Sequence, residues 1–155
     1  MLKTIAQTSL CGIQGKGPSS FNEVAQSGQQ FSSELWHQLI EKMIDAGLPL
    51  DGLMYGVSWP ADDNTPPQEV FYFCGFESEK TIAGFESLKL DGGNYFEYKC
   101  EVPATDLDQG FREAYMEAMP ASGFKGRAGQ HLEIYGADYD PDSPIAKFAI
   151  LIPVE

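Results

Sequence analysis

The sequence predicts an α+β fold with two βαββ units related by a pseudo-two-fold axis, an antiparallel sheet and two long helices on one face. The first observation is a duplication, because the order strand, helix, strand, strand occurs twice, at about residues 1–76 and 92–155. The second is that Tyr55-Gly56 and Tyr135-Gly136 occupy the same place in the two halves. A chain of 155 residues, 43% of them hydrophobic, can bury one core, so we expect a single domain over residues 1–155.

The first unit begins with a loosely alternating segment. Residues 2–12 predict a strand, and the glycine-rich segment 15–18 is expected to end it as an ordinary turn, since it lacks the full pattern of a phosphate-binding loop. Ser20 and Glu23 have capping-box spacing, which predicts a short helical turn before Gly28.

The main helix of the first unit is predicted over residues 31–46, with Gly47 as its stop. Its apolar stripe consists of Leu35, Trp36, Leu39, Ile40, Met43 and Ile44. Residues 53–59 and 69–75 predict two strands joined by the polar loop 60–67. In the first of them, one face carries Leu53, Tyr55, Val57 and Trp59.

The second unit repeats this order after residues 77–91, which show no pattern and are interpreted as the joint between the halves. Residues 95–100 predict a strand with an inward aromatic face. Thr105 and Asp108 have capping-box-like spacing before a second helix, which we expect Pro120 to stop. The buried stripe of this helix is Leu107, Phe111, Ala114, Tyr115 and Ala118.

The last two strands, at 132–137 and 145–154, include the most unusual residue of the chain. Glu133 shares one face of an otherwise apolar, aromatic strand with Tyr135. If this face is interior, the unpaired carboxylate is costly, so it either stays protonated or awaits a cation. The alternatives are that the face is exposed or that Glu133 accepts a hydrogen bond from a neighbouring hydroxyl.

The charge of the chain limits its partners. With 23 acidic and 10 basic residues, the formal charge of -13 argues against direct binding to nucleic acid or to anionic membranes. Three cysteines without a CxxC pair are typical of a reducing compartment, so we expect a cytoplasmic protein. No apolar segment is long enough to span a bilayer.

Two candidate chemical sites are rejected, and we predict no metal, cofactor or catalytic residue. Glu34, His37 and Glu41 have a spacing that can place metal ligands together, but they lie opposite the apolar stripe, where a solvated face explains them. Cys100 and His131 are a conceivable nucleophile pair, but no local signature supports it.

Several motifs together resemble a known family. They are the βαββ duplication, Gly17-Pro18 after the first strand, the segment 115–124, the strand 132–135 and the closing Ile152-Pro153-Val154. Their order resembles the gyrase-inhibitor-like (GyrI-like) effector-binding superfamily. This superfamily includes the ligand domains of AraC-type and MerR-type multidrug regulators of transcription, and stand-alone versions, some encoded on integron cassettes.

The resemblance implies a stand-alone module that binds lipophilic, cationic aromatic compounds. The acid that contacts such drugs in the regulators falls on Glu133. We expect a pocket between the sheet and the helices, in which aromatic faces attract the cation. Its predicted aromatic lining is Trp36, Tyr55, Trp59, Phe73, Phe96, Tyr98 and Tyr135.

Two alternatives stay open beside this module. Some relatives resemble hydrolases of electrophilic aromatic toxins, although one inward acid is weak support for chemistry that needs a second group for the proton. The sequence shows no helix-turn-helix segment, so we do not expect direct DNA binding. Contact with a separate DNA-binding regulator or a topoisomerase is still possible.

Overall fold

The computed structural model describes residues 1–18, 25–50, 52–64, 67–136, 139–140 and 142–155. The predicted cap at Ser20 and Glu23 lies outside them. The strands are β1 (Leu2–Ile5), β2 (Thr8–Pro18), β3 (Met54–Pro60), β4 (Glu69–Glu77), β5 (Glu86–Leu90), β6 (Gly93–Pro103), β7 (His131–Tyr135) and β8 (Ile145–Pro153). The helices are α1 (Ala25–Asp45) and a second helical segment made of α2 (Leu107–Arg112), a π-helical turn (Glu113–Ala118) and α3 (Met119–Ser122).

All eight strands form one antiparallel sheet in the order β1-β6-β8-β7-β3-β4-β2-β5. The three strands of each predicted βαββ unit are neighbours, and the units meet where β3 pairs with β7. The predicted α+β class and the antiparallel sheet are therefore confirmed. The short strands β1 and β5 extend the two outer edges.

Both helical segments lie against the same face of the sheet, which we call the helix face. On α1, Leu35 and Leu39 pack against Tyr72 and Cys74 of β4. The second helical segment packs through Ala114 on β6 and β8. Because side chains alternate along a strand, the opposite face carries a separate cluster. Its buried members are Leu10, Tyr55, Val57, Phe73, Leu90, Tyr95, Leu132 and Leu151.

The turn predicted at residues 15–18 is wrong, because these residues belong to β2 and pair with β4 as far as Pro18 and Glu69. A Cβ on Gly17 would lie 2.6 Å from the ring of Phe31 on α1. The glycine therefore permits close approach of helix and strand, and neither Gly15 nor Gly17 has a positive φ.

Other elements also differ from the sequence prediction, and the single strand predicted over residues 2–12 is divided between β1 and β2, which pair with β6 and β4. α1 begins at residue 25 and continues through Gly28 instead of being interrupted there. The joint at 77–91 contains β5, which pairs with β2. The second helical segment does not stop at Pro120 but ends at Gly123, whose φ of 78° gives a left-handed cap. Pro120 follows the π-helical turn, where the normal helical hydrogen bonding has already been replaced.

Among the described residues, no helix is long and apolar enough to cross a membrane.

Candidate functional site

A cavity of about 600 Å³ lies between the helix face of the sheet and the two helical segments. Its walls come from α1, the second helical segment and the adjoining ends of β2, β3, β4 and β7. The residues discussed below that line it are Phe31, Trp36, Trp59, Tyr72, Asp108, Tyr115, Met116, His131, Glu133 and Tyr135.

Glu133 lies near the centre of the sheet, opposite Gly56 of β3 and Ile150 of β8. Its Oε1 accepts hydrogen bonds from the hydroxyls of Tyr135, at 2.6 Å, and Tyr72, at 3.2 Å. The alternative that Glu133 accepts a hydrogen bond from a neighbouring hydroxyl is therefore confirmed. Both partners are neutral, so they orient the carboxylate without supplying a positive charge.

A third group extends this network to α1. The indole Nε1 of Trp36 donates to the Tyr72 hydroxyl at 2.8 Å, and that hydroxyl donates to Glu133. A chain of hydrogen bonds thus runs from α1 through β4 to β7. Gly56 leaves the space for it, because a Cβ at that position would overlap the Tyr72 hydroxyl.

Burial changes the acid–base properties of this network. It raises the pKa of Glu133 above the ordinary carboxyl value, although the hydrogen bonds from Tyr135 and Tyr72 act in the opposite direction. It also raises the pKa of both tyrosines, as does the nearby Glu133 charge, so their hydroxyls stay protonated and can donate. A positive charge beside Glu133 would offset the cost of ionising it.

His131 occupies the next inward position of β7, where it contacts the second helical segment. Its Nδ1 lies 2.7 Å from the Tyr115 hydroxyl, and the two rings stack with centroids 5.7 Å apart. Burial, with a smaller effect from the Arg127 charge, lowers the pKa of His131 to about 4. The imidazole is therefore neutral at pH 7 and adds no positive charge to the cavity.

The cavity wall has acidic side chains but, among the described residues, no Lys or Arg. Among the described residues that line it, the carboxylates are Asp108 and Glu133. Asp108 has a cationic partner, because Arg112 Nη1 lies 2.8 Å from its carboxylate. Glu133 is thus the carboxylate that a bound cation would complement.

The structure brings together four of the predicted site residues: Glu133, Trp36, Trp59 and Tyr135. The Trp36 and Tyr135 rings meet edge to face, with centroids 5.4 Å apart. Such a pair gives the cavity an aromatic wall next to the carboxylate.

The other four predicted aromatic residues do not line this cavity. Tyr55 and Phe73 belong to the cluster on the opposite face, since it is Gly56, between Tyr55 and Val57, that pairs with Glu133. Phe96 and Tyr98 do lie on the helix face, but they pack under the second helical segment, where Tyr98 donates to Glu113. Sequence alternation within one strand could not decide which face meets the helices.

Sequence reasoning missed Tyr72, Tyr115 and His131 as cavity residues. Tyr72 lies within the run Phe71-Tyr72-Phe73, whose aromatic character on both faces hides the alternation. His131 lies two residues before Glu133, and this spacing was the available signal, because residues i and i+2 share a face. Tyr115 was assigned to the helix stripe, and the structure shows that it reaches His131.

The two rejected chemical sites have structural explanations. His37 and Glu41 form an i,i+4 pair at 3.3 Å on the exposed side of α1, and the described residues contain no group of three potential metal ligands. Burial raises the pKa of Cys100 to about 12, so it is a thiol at neutral pH. Its Sγ packs toward Gly110, whereas His131 is bonded to Tyr115.

Comparison with known proteins identifies the class. The family described as the GyrI-like small molecule binding domain matches residues 1–155, so the chain belongs to this family. The resemblance stated from the sequence motifs is confirmed.

The individual relatives are distant in sequence. The Right origin-binding protein of Escherichia coli K12 is 23% identical over 160 residues, which cover 97% of this chain and 54% of the relative. The chain thus spans about half the length of the curated relatives it matches.

Solved structures share the fold over the whole chain. SAV2435 bound to tetraphenylphosphonium has a TM-score of 0.75 at 18% identity and covers 100% of this chain and 93% of its own. An integron cassette protein of Vibrio cholerae has a TM-score of 0.66 at 16% identity, with 100% and 95% covered. A hydrolase from Listeria innocua is less similar, with a TM-score of 0.52 at 12% identity and 100% and 91% covered.

Proposed function

We propose that this domain binds lipophilic aromatic cations in the cavity, with Glu133 as their counter-ion. The observation that carries the proposal is the position of Glu133, whose hydrogen-bond partners are neutral and whose surroundings are aromatic. A cation beside it would gain attraction from the carboxylate and from the rings of Trp36 and Tyr135. The bound tetraphenylphosphonium in the structure of SAV2435 supports the same ligand class.

A volume of about 600 Å³ also suits a drug-sized aromatic compound. Met116 also lines the cavity, and its side chain is exposed and flexible enough to contact ligands of different shape. We infer that selection depends on charge and aromatic surface more than on one exact shape.

Charge selectivity is tested with methyltriphenylphosphonium and its neutral isostere triphenylethane. The chain has two tryptophans, and Trp36 lines the cavity and donates to Tyr72, so its fluorescence should report either ligand. Trp59 also lines the cavity but packs against the cluster on the opposite face. Glu133→Gln keeps an oxygen that can accept both tyrosine hydrogen bonds but removes the charge. We expect the cation to lose at least about 1.4 kcal/mol, tenfold in affinity, while the neutral compound changes little.

The matched control is Glu41→Gln, which removes a carboxylate from the exposed side of α1. It should leave both affinities unchanged. An equal loss for cation and isostere in Glu133→Gln would show that the residue supports the cavity structurally and does not recognise charge.

A hydrolase is the second candidate function, because the structure adds His131 to the single inward acid expected from the sequence. Glu133 and His131 line one cavity, and burial perturbs the pKa of both, as is common for groups at catalytic sites. The protein is incubated with an epoxide-bearing aromatic compound, whose loss is followed by chromatography. Multiple turnovers that vanish in Glu133→Gln but persist in Glu41→Gln would favour the hydrolase, whereas loss at the buffer rate supports a binding module.

A further inference from the structure

The cavity contains a second polar position beside Glu133. His131 and Glu133 are separated by one residue on β7, and both side chains line the cavity. Two residues along a strand span about 7 Å, so the imidazole and the carboxylate contact different parts of a bound molecule. On the neighbouring strand they face Ser58 and Gly56, which are small.

The imidazole is held in a fixed orientation by a residue from another element. The hydroxyl of Tyr115, in the π-helical turn, forms a hydrogen bond of 2.7 Å with Nδ1 of His131. The two rings stack at an interplanar angle of 21°. The second nitrogen, Nε2, is therefore the one directed to a ligand.

The chemistry of this position complements that of Glu133. A neutral imidazole donates at one nitrogen and accepts at the other, so Nε2 can form a hydrogen bond without repelling a cation. The low pKa of His131, about 4, keeps the ring neutral through the physiological range. A phenol, carbonyl or ether oxygen can pair with such a group.

We propose that His131, positioned by Tyr115, is a specificity-determining residue that selects aromatic cations bearing a hydrogen-bonding oxygen about 7 Å from the charge. This inference rests on the proposed function and narrows its ligand class. A purely hydrocarbon cation satisfies Glu133 but leaves Nε2 without a partner. The preferred ligand pairs with both groups.

The test compares two probes, N-methyl-phenylpyridinium and its meta-hydroxyphenyl analogue. The wild-type protein should bind the hydroxylated probe roughly fivefold more tightly, which corresponds to one neutral hydrogen bond. His131→Phe keeps a flat aromatic ring and should abolish this preference, so that the two probes bind with equal affinity. Tyr115→Phe should reduce the preference partially, because it removes the hydrogen bond that orients His131.

A spectroscopic measurement keeps the inference testable if a variant fails to fold. The chain has two histidines, and His37 on the exposed side of α1 serves as an internal reference in proton–nitrogen spectra of the imidazoles. The hydroxylated probe should shift Nε2 of His131, whereas the parent probe should shift it much less, and His37 should not respond to either.

The outcomes separate this inference from the proposed function. If methyltriphenylphosphonium fails to bind the wild-type protein, the proposed function is wrong and the inference fails with it. If all cations bind and weaken in Glu133→Gln, but the hydroxyl preference is absent or survives in His131→Phe, only the inference is overturned.

Discussion

At the scale of single residues, the cavity places two ionisable groups in environments that shift their pKa values in opposite directions. The pKa of Glu133 is raised and the pKa of His131 is lowered, in both cases mainly by burial. In each case burial favours the neutral form. These shifts make the stability of the ligand-free protein depend on pH in two separable ways.

The raised pKa of Glu133 predicts a loss of stability at higher pH. The folded state favours the protonated carboxyl. The contribution of Glu133 to the free energy of unfolding is therefore fully present below the unfolded pKa of about 4.3 and is lost as the pH rises through the pKa of the folded state. We expect the free energy of unfolding of Glu133→Gln, measured with urea, to increase relative to that of the wild type as the pH rises from about 4 upward. A difference in stability that stays constant across this range would mean that the Glu133 pKa is not raised.

The lowered pKa of His131 predicts the opposite trend at acid pH. The contribution of His131 to the free energy of unfolding is present above its unfolded pKa of about 6.5 and is lost as the pH falls toward its folded pKa of about 4. The full shift corresponds to at most about 3 kcal/mol. His131→Phe should therefore unfold with a flatter pH profile than the wild type between these limits. If the two profiles run parallel, His131 titrates as an ordinary exposed histidine.

The sequence identified some site residues because their chemistry conflicts with their position. An acid in the strand Leu132-Glu133-Ile134 is such a conflict, so Glu133 and its neighbour Tyr135 could be predicted. Tyr72 could not, since nothing in Phe71-Tyr72-Phe73 distinguishes its two faces. The pairing of β3 with both β4 and β7 decides this face, and that pairing joins segments far apart in the chain.

At the scale of elements, the βαββ order of each half was predictable from periodicity, whereas β5, the separation of β1 from β2 and several element ends were not. Gly15 and Gly17 were interpreted as a turn because glycine often has this role, but here they allow α1 to approach β2. The pseudo-two-fold relation between the halves stays a prediction. The strand order in which β3 and β7 meet at the centre supports it.

The packing of α1 on β2 predicts a marked effect of Gly17→Ala. The added methyl group would lie 2.6 Å from the Phe31 ring, so α1 must move or Phe31 must leave its position in the cavity wall. Overpacking of this kind costs about 1–3 kcal/mol, which urea unfolding would measure. Cation affinity should fall as well, because Phe31 lines the cavity.

Gly52→Ala is the matched control for this substitution. Among the residues that the structure describes, none lies within 4 Å of a Cβ added at Gly52, and its φ is not positive, so the change should be neutral or slightly stabilising. Equal effects of the two substitutions would contradict close packing of α1 on β2.

At the scale of the whole molecule, the excess of acidic residues and the cavity carboxylate are two different sources of attraction for a cation. The formal charge of -13 is spread over the chain, and salt screens exposed charges strongly. Glu133 is enclosed by protein groups and should be screened much less. Their contributions can therefore be separated by ionic strength.

We expect the affinity for methyltriphenylphosphonium to fall severalfold when the Debye length is shortened from about 30 Å to about 8 Å by added salt. Glu133→Gln should bind more weakly at both salt concentrations but show nearly the same salt dependence, since that dependence comes from the surface. Isothermal titration at the two concentrations gives both quantities. If the substitution instead removes the salt dependence, Glu133 is the screened charge, and the cavity is open to solvent. If the wild type shows no salt dependence, the net charge makes no contribution to ligand attraction, and recognition is confined to the groups that line the cavity.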